Sequence, residues 1–117
     1  MPVRSLTSSV LRWPERDFVL RSLDDWAAEE RRRHPLLMRL GYFGSYARGD
    51  SGVGSDLDVV AVLAESDVPF ERRPLDWDLS PLPVPAQILV YTEAEWSALM
   101  SAGTRFSRMM RSETVWI

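Results

Sequence analysis

Two clusters in this 117-residue chain have residue types and spacing suited to chemistry. Gly44-Ser45 follows an apolar run, and Asp56 and Asp58 stand two positions apart at the start of another. A glycine lets an anion approach the backbone closely. Ser45 adds a hydroxyl and a backbone N–H at a helix start, and Arg48, one turn on, reaches the same anion with charge-assisted donors. On a strand, residues i and i+2 project from one face, so the carboxylates of Asp56 and Asp58 converge. A hard divalent cation relieves their repulsion, and magnesium typically takes one or two carboxylates plus phosphate oxygens. Either cluster alone is weak, since Asp-x-Asp is commonly a pair of solvated acids and Gly-Ser a plain turn. Together they place phosphate donors and metal carboxylates at the same end of two adjacent strands, as a metal-bound triphosphate requires.

The composition removes many other chemistries. The chain has no cysteine, which excludes disulfides, thiolate zinc sites and cysteine nucleophiles, and fits a reducing compartment. All fourteen basic residues are arginine, so a P-loop kinase, a Schiff-base enzyme and a serine-lysine hydrolase are excluded. His34 is the single histidine; beside Pro35 in a turn, it reads as a surface residue. A net charge of −3 gives no argument for nucleic-acid binding. No apolar run approaches the roughly 20 residues needed to span a bilayer, and no secretory leader is visible. The expectation is one cytoplasmic domain over residues 1–117 that does not engage a membrane.

The elements that must position these residues follow from pattern. Residues 1–12 carry little, and read as a loose arm or an edge strand. A helix opens at Pro14, with Asp17 near its start, Val19, Leu23, Trp26 and Ala27 on one face, and Arg31-Arg32-Arg33 as a solvated last turn. Leu36 to Phe43 reads as a strand, Ser45 to Gly49 as a turn of helix, and Asp50 to Ser55 as a loop. Leu57 to Leu63, rich in β-branched residues, reads as a central strand. Glu65 to Arg73 is a polar connection, and Ala86 to Tyr91 a third strand. Thr92-Glu93-Ala94-Glu95 is a capping box for a helix that buries Trp96, Leu99 and Met100 and closes at Gly103. A short helix over Arg105 to Arg111 and a strand over Thr114 to Ile117 follow. The fold class is α+β, a single mixed β-sheet with helices packed on it.

The run from Gly44 to Asp58, Gly-Ser-Tyr-Ala-Arg-Gly-Asp-Ser-Gly-Val-Gly-Ser-Asp-Leu-Asp, resembles the signature of the DNA polymerase β-like nucleotidyltransferases, especially the minimal nucleotidyltransferases. The close match covers residues 41–63, and a looser likeness runs from Pro83 to Trp96. The resemblance implies a nucleotidyltransferase fold and Mg2+, with two ions possible. It also implies transfer of a nucleoside monophosphate from a nucleoside triphosphate, ATP first among them, to a macromolecular acceptor. By position, Gly44 and Ser45 would hold the triphosphate, while Asp56 and Asp58 would bind metal and carry catalysis. It further implies a homodimer or a small helical partner protein, as in a toxin–antitoxin pair.

One position departs from the family pattern. Relatives usually carry a third acid on the next strand, where this chain reads Pro85-Ala86-Gln87-Ile88-Leu89-Val90. Gln87 can accept a hydrogen bond or weakly ligate a metal, but it cannot act as a general base and brings no charge for a second cation. This supports an alternative, a catalytically weakened antitoxin or binding subunit of the same fold. A third reading is a metal-binding structural domain with no nucleotide. Asp76 and Asp78 alternate with apolar residues as on an edge strand, where they either stand in for the missing acid or face solvent opposite Leu75, Trp77 and Leu79 packed on the core. Trp26 and Trp96 read as packing residues, and Trp13, Trp77 and Trp116 as core or interface.

Overall fold

Alternation along the second strand organises the molecule. In the computed structural model, which describes residues 13–117, Leu57, Val59 and Ala61 enter one apolar cluster and Val60 and Val62 the other. That strand is therefore covered on both faces, and a sheet with two covered faces needs helices on both. The elements are α1 (Arg16–Arg33), β1 (Leu37–Phe43), α2 (Ser45–Arg48), β2 (Leu57–Leu63), a 3-10 segment (Phe70–Asp76), β3 (Ala86–Thr92), α3 (Glu93–Ser101), α4 (Arg105–Glu113) and β4 (Val115–Trp116). The four strands form one mixed sheet in the order β3-β2-β1-β4. β1 is antiparallel to β2 and β4, and β2 is parallel to β3. This is the α+β sheet expected from the sequence.

The face toward α1 is built from Val19, Leu23, Trp26 and Ala27 against Leu40, Tyr42, Val59, Ala61, Ile88 and Val90. The opposite face packs Phe43, Val60 and Val62 against Trp96 of α3 and Met110 of α4. Each fully buried valine or leucine contributes about 1.5–3 kcal/mol. α1 begins two residues later than its proline suggests, because Glu15 is still extended and serves as the N-cap. Arg31, Arg32 and Arg33 are exposed in its last turn, where Arg32 pairs with Glu29 at 2.5 Å and Arg31 donates to the Ile117 carbonyl. The reading of residues 1–12 lies outside the described residues.

Three local expectations are corrected. Residues 75–79 form no strand: Asp76 ends the 3-10 segment, Leu75 is 79% exposed, and Asp78 accepts from both the amide and hydroxyl of Ser80. Those two donors hold the Asp78 carboxyl below its usual range. His34 is no free surface residue, because its ring stacks on buried Trp77 at 3.8 Å with 6° between planes. The connection from Glu65 is not simply polar either. Within it, Arg73 is buried and donates to the carbonyls of Val68 and Val90 at 2.7 and 3.0 Å and to both oxygens of Glu95 at 2.5 and 3.1 Å.

Glu95 also completes the capping box of α3, accepting from the Thr92 amide at 2.9 Å while its own amide donates to the Thr92 hydroxyl at 3.2 Å. The Arg73 guanidinium is the main cause that holds the Glu95 carboxyl below its ordinary value, with the Thr92 amide adding to it. A depressed folded-state value contributes stability above the unfolded carboxylate range, and that stability is lost as pH falls through the folded value. Glu95→Gln, whose amide oxygen can still accept from the Thr92 amide, is therefore expected to cost about 1–2 kcal/mol at pH 7, from the lost charge-assisted bonds to Arg73 and limited by solvent screening. The gap to wild type should close as pH falls below the carboxylate range. Urea unfolding at pH 7 and pH 3 measures this, and a gap that stays constant with pH would contradict it.

Candidate functional site at the glycine turn

The turn between β1 and α2 is shaped by Gly44. Its φ of 78° and ψ of −152° lie where side chains other than glycine's rarely go. A Cβ at this position would stand 2.3 Å from Asp58 Oδ2, so the backbone of the turn lies directly against the Asp58 carboxylate. α2 is a single turn, fastened by buried Tyr46, whose carbonyl accepts from Arg16 Nε and Nη2 at 3.2 and 2.9 Å. Ser45, half-buried, opens that turn.

Asp58 is the second residue of β2, paired in register with Phe43 on β1 and with Gln87 on β3. By alternation it shares the α3/α4 face with Val60 and Val62. Asp56 precedes the strand by one residue and is exposed. Gln87 sits opposite Asp58 and donates from Nε2 to Asp58 Oδ1 at 2.7 Å. The only glutamine of the chain thus stands in register beside the Asp58 carboxylate. Among the described residues no three acidic or histidine side chains are grouped to hold a metal ion.

The donor set bears on which cation fits. Asp56, Asp58, the Ser45 hydroxyl and the Gln87 carbonyl are hard oxygen donors, and the space a Cβ would fill keeps the Asp58 edge open toward the turn. Two carboxylates suit one magnesium ion that takes its remaining ligands from phosphate and water. With Gln87 in the third place, charge for a second ion is lacking.

The structure brings Gly44, Asp58 and Gln87 into one contact chain, with Ser45 alongside. Arg48 joins it indirectly: its Nη1 donates to Glu113 Oε1 at 3.3 Å, and the same oxygen accepts from the Gly44 amide at 3.1 Å. Arg48 Nε also bonds Asp50 Oδ2 at 3.2 Å, and this bond raises the Arg48 pKa above its ordinary value. Sequence reading missed Glu113 and Asp50. Glu113 lies 69 positions from Gly44 and is one of several acids on amphipathic helices, so no local signal could mark it. A cleft of about 310 Å³ between α1 and the Asp78–Pro81 loop shares no residue with this site.

Comparison with known proteins bears on fold and family. A crystal structure of a Sulfolobus solfataricus protein, described as a candidate nucleotidyltransferase, superposes with a TM-score of 0.62 at 20% sequence identity, covering 92% of this chain and 85% of that one. At that identity the likeness carries the fold alone. No curated protein matches the chain. The family model for the nucleotidyltransferase domain matches residues 25–116, a span that holds Gly44, Ser45, Asp56, Asp58 and Gln87. The chain belongs to the nucleotidyltransferase domain family.

Proposed function

We propose that this chain binds a magnesium nucleoside triphosphate, ATP first among them, and transfers its nucleoside monophosphate to a macromolecular acceptor. The observation that carries this reading is the packing of the Gly44 backbone against Asp58, which puts the phosphate turn and the metal carboxylate in contact. Gly44, Ser45 and Arg48 hold the β- and γ-phosphates; Asp56 and Asp58 hold the cation. When bound, magnesium supplies charge neutralisation and in-line positioning of the phosphates. The acceptor oxygen attacks the α-phosphorus, the bond to the β-phosphate oxygen breaks, and pyrophosphate leaves. The acceptor, on a helical partner protein or a second copy of the chain, loses its proton to solvent water in that step. Gln87 has no capacity to take it. One domain over residues 1–117 in a cytoplasmic setting fits this reading, and none of the described helices is long and apolar enough to cross a membrane.

The Gln87 amide on Asp58 at 2.7 Å favours a second reading, a binding subunit that retains nucleotide but turns it over poorly. Gln87→Asp separates the two. Restoring an acid beside Asp58 is expected to raise transfer from α-labelled ATP by about a hundredfold, the range of a positioned base. A folded Gln87→Asp protein that binds nucleotide without any gain in transfer would mean that the missing acid is not the defect.

A further inference from the structure

α4 delivers a carboxylate to the glycine turn. Glu113 ends that helix, and its Oε1 accepts from the Gly44 amide at 3.1 Å and from Arg48 Nη1 at 3.3 Å. A phosphate oxygen would use the same main-chain N–H and the same guanidinium edge. Arg48 is held on a second edge by Asp50 at 3.2 Å, so both of its contacts are already anionic. The Glu113 side chain is only 20% exposed, which limits solvent screening of its charge. Two anions on one N–H and one guanidinium repel each other, so carboxylate and phosphate exclude one another.

The main chain around Glu113 is anchored on its own account. The Thr114 amide and hydroxyl both donate to the Met110 carbonyl, at 3.3 and 2.6 Å. Immediately beyond, Val115 and Trp116 pair with Tyr42 and Gly41 of β1. Gly41 permits that approach, because a Cβ there would come within 2.6 Å of the Val115 carbonyl oxygen. Freeing the donors therefore needs only rotation of the Glu113 side chain, not movement of α4 or β4.

We propose that Glu113 is a built-in competitor anion that occupies the phosphate donors of the glycine turn until a polyphosphate displaces it. This rests on the reading that Gly44 and Arg48 receive phosphate. A triphosphate must then outbid a tethered carboxylate with its β- and γ-phosphate oxygens, whereas a monophosphate, which has none to place there, does not meet it. Glu113 so lowers triphosphate affinity and keeps the turn's donors satisfied while no polyphosphate is bound.

The test is calorimetric titration of wild type and Glu113→Gln with magnesium ATP, AMP and inorganic tripolyphosphate. The amide keeps the acceptor oxygen and removes the charge. Affinity for tripolyphosphate and ATP is expected to rise about tenfold, while AMP, which has no β- or γ-phosphate to place on the Gly44 and Arg48 donors, should gain little. Equal or weaker binding of ATP and tripolyphosphate by a folded Glu113→Gln overturns the proposal, since a residue that merely braces the turn would give that result. If neither protein binds any of the three, the nucleotide-site reading falls, and this inference with it. Should Glu113→Gln not fold, Glu113→Asp, whose shorter arm withdraws the carboxylate from the Gly44 amide, is expected to show the same gain. No gain there would overturn the proposal equally.

Discussion

Asp58→Asn is expected to weaken magnesium-dependent triphosphate binding by at least about a hundredfold, the upper range seen when even the outer partners of a metal site are lost. The fold should survive. The asparagine carbonyl can still accept the Gln87 amide that Asp58 Oδ1 accepts at 2.7 Å. The side chain is only half-buried, at a strand end where Leu57 and Val59 on either side carry the packing. With the hydrogen bond kept and no packing lost, stability should change by less than about 1 kcal/mol. What disappears is the charge that holds a cation. Titration with and without magnesium, beside a urea unfolding curve, checks both halves. A folded Asp58→Asn protein with wild-type affinity would remove Asp58 from the site.

Gly44→Ala should damage stability and binding together. The backbone conformation at Gly44 costs a side-chain-bearing residue about 1–3 kcal/mol in strain. In addition, the new methyl would meet Asp58 Oδ2 at 2.3 Å. Something must shift, and the choices are the turn or the carboxylate that Gln87 holds from the other side. The expected result is a loss of about 2–4 kcal/mol in unfolding free energy, with triphosphate binding reduced below detection. Gly54→Ala is the control. It also has positive φ, 87°, but no heavy atom lies within 4 Å of its added Cβ. It should cost about 1 kcal/mol and leave binding intact. Equal effects from the two substitutions would mean that contact with Asp58 is irrelevant.

Where sequence and structure agree, the reason is local. β2 spans Leu57–Leu63 as read, because a run of β-branched residues buried on both faces has no competing helical period. The box at Thr92 and Glu95 is a three-residue pattern whose reciprocal bonds need nothing from elsewhere in the chain. The turn at Gly44 and the strand start at Asp58 are legible for the same reason, since each follows from a pattern local in sequence.

What could not be read depends on contacts distant along the chain. Alternating acids suggested a strand at Asp76 and Asp78, but Pro74 and the need of buried Arg73 for carbonyl acceptors favour a 3-10 turn there. His34 looked free because its partner, Trp77, is forty-three positions away. Glu113 reaches Gly44 only once β4 has paired with β1 and aligned the end of α4 with the turn. Gln87 occupied the expected place in sequence, but its bond to Asp58 depended on the parallel register of β2 and β3.

In the proposed function Gly44, Ser45, Asp56 and Asp58 form one magnesium-dependent triphosphate site. Calorimetric titration of the wild-type chain with ATP, in magnesium and then in EDTA, tests it most directly. Saturable one-to-one binding in magnesium that is lost in EDTA is the expected result. A folded protein that binds no triphosphate, or binds it equally without the metal, would contradict such a site.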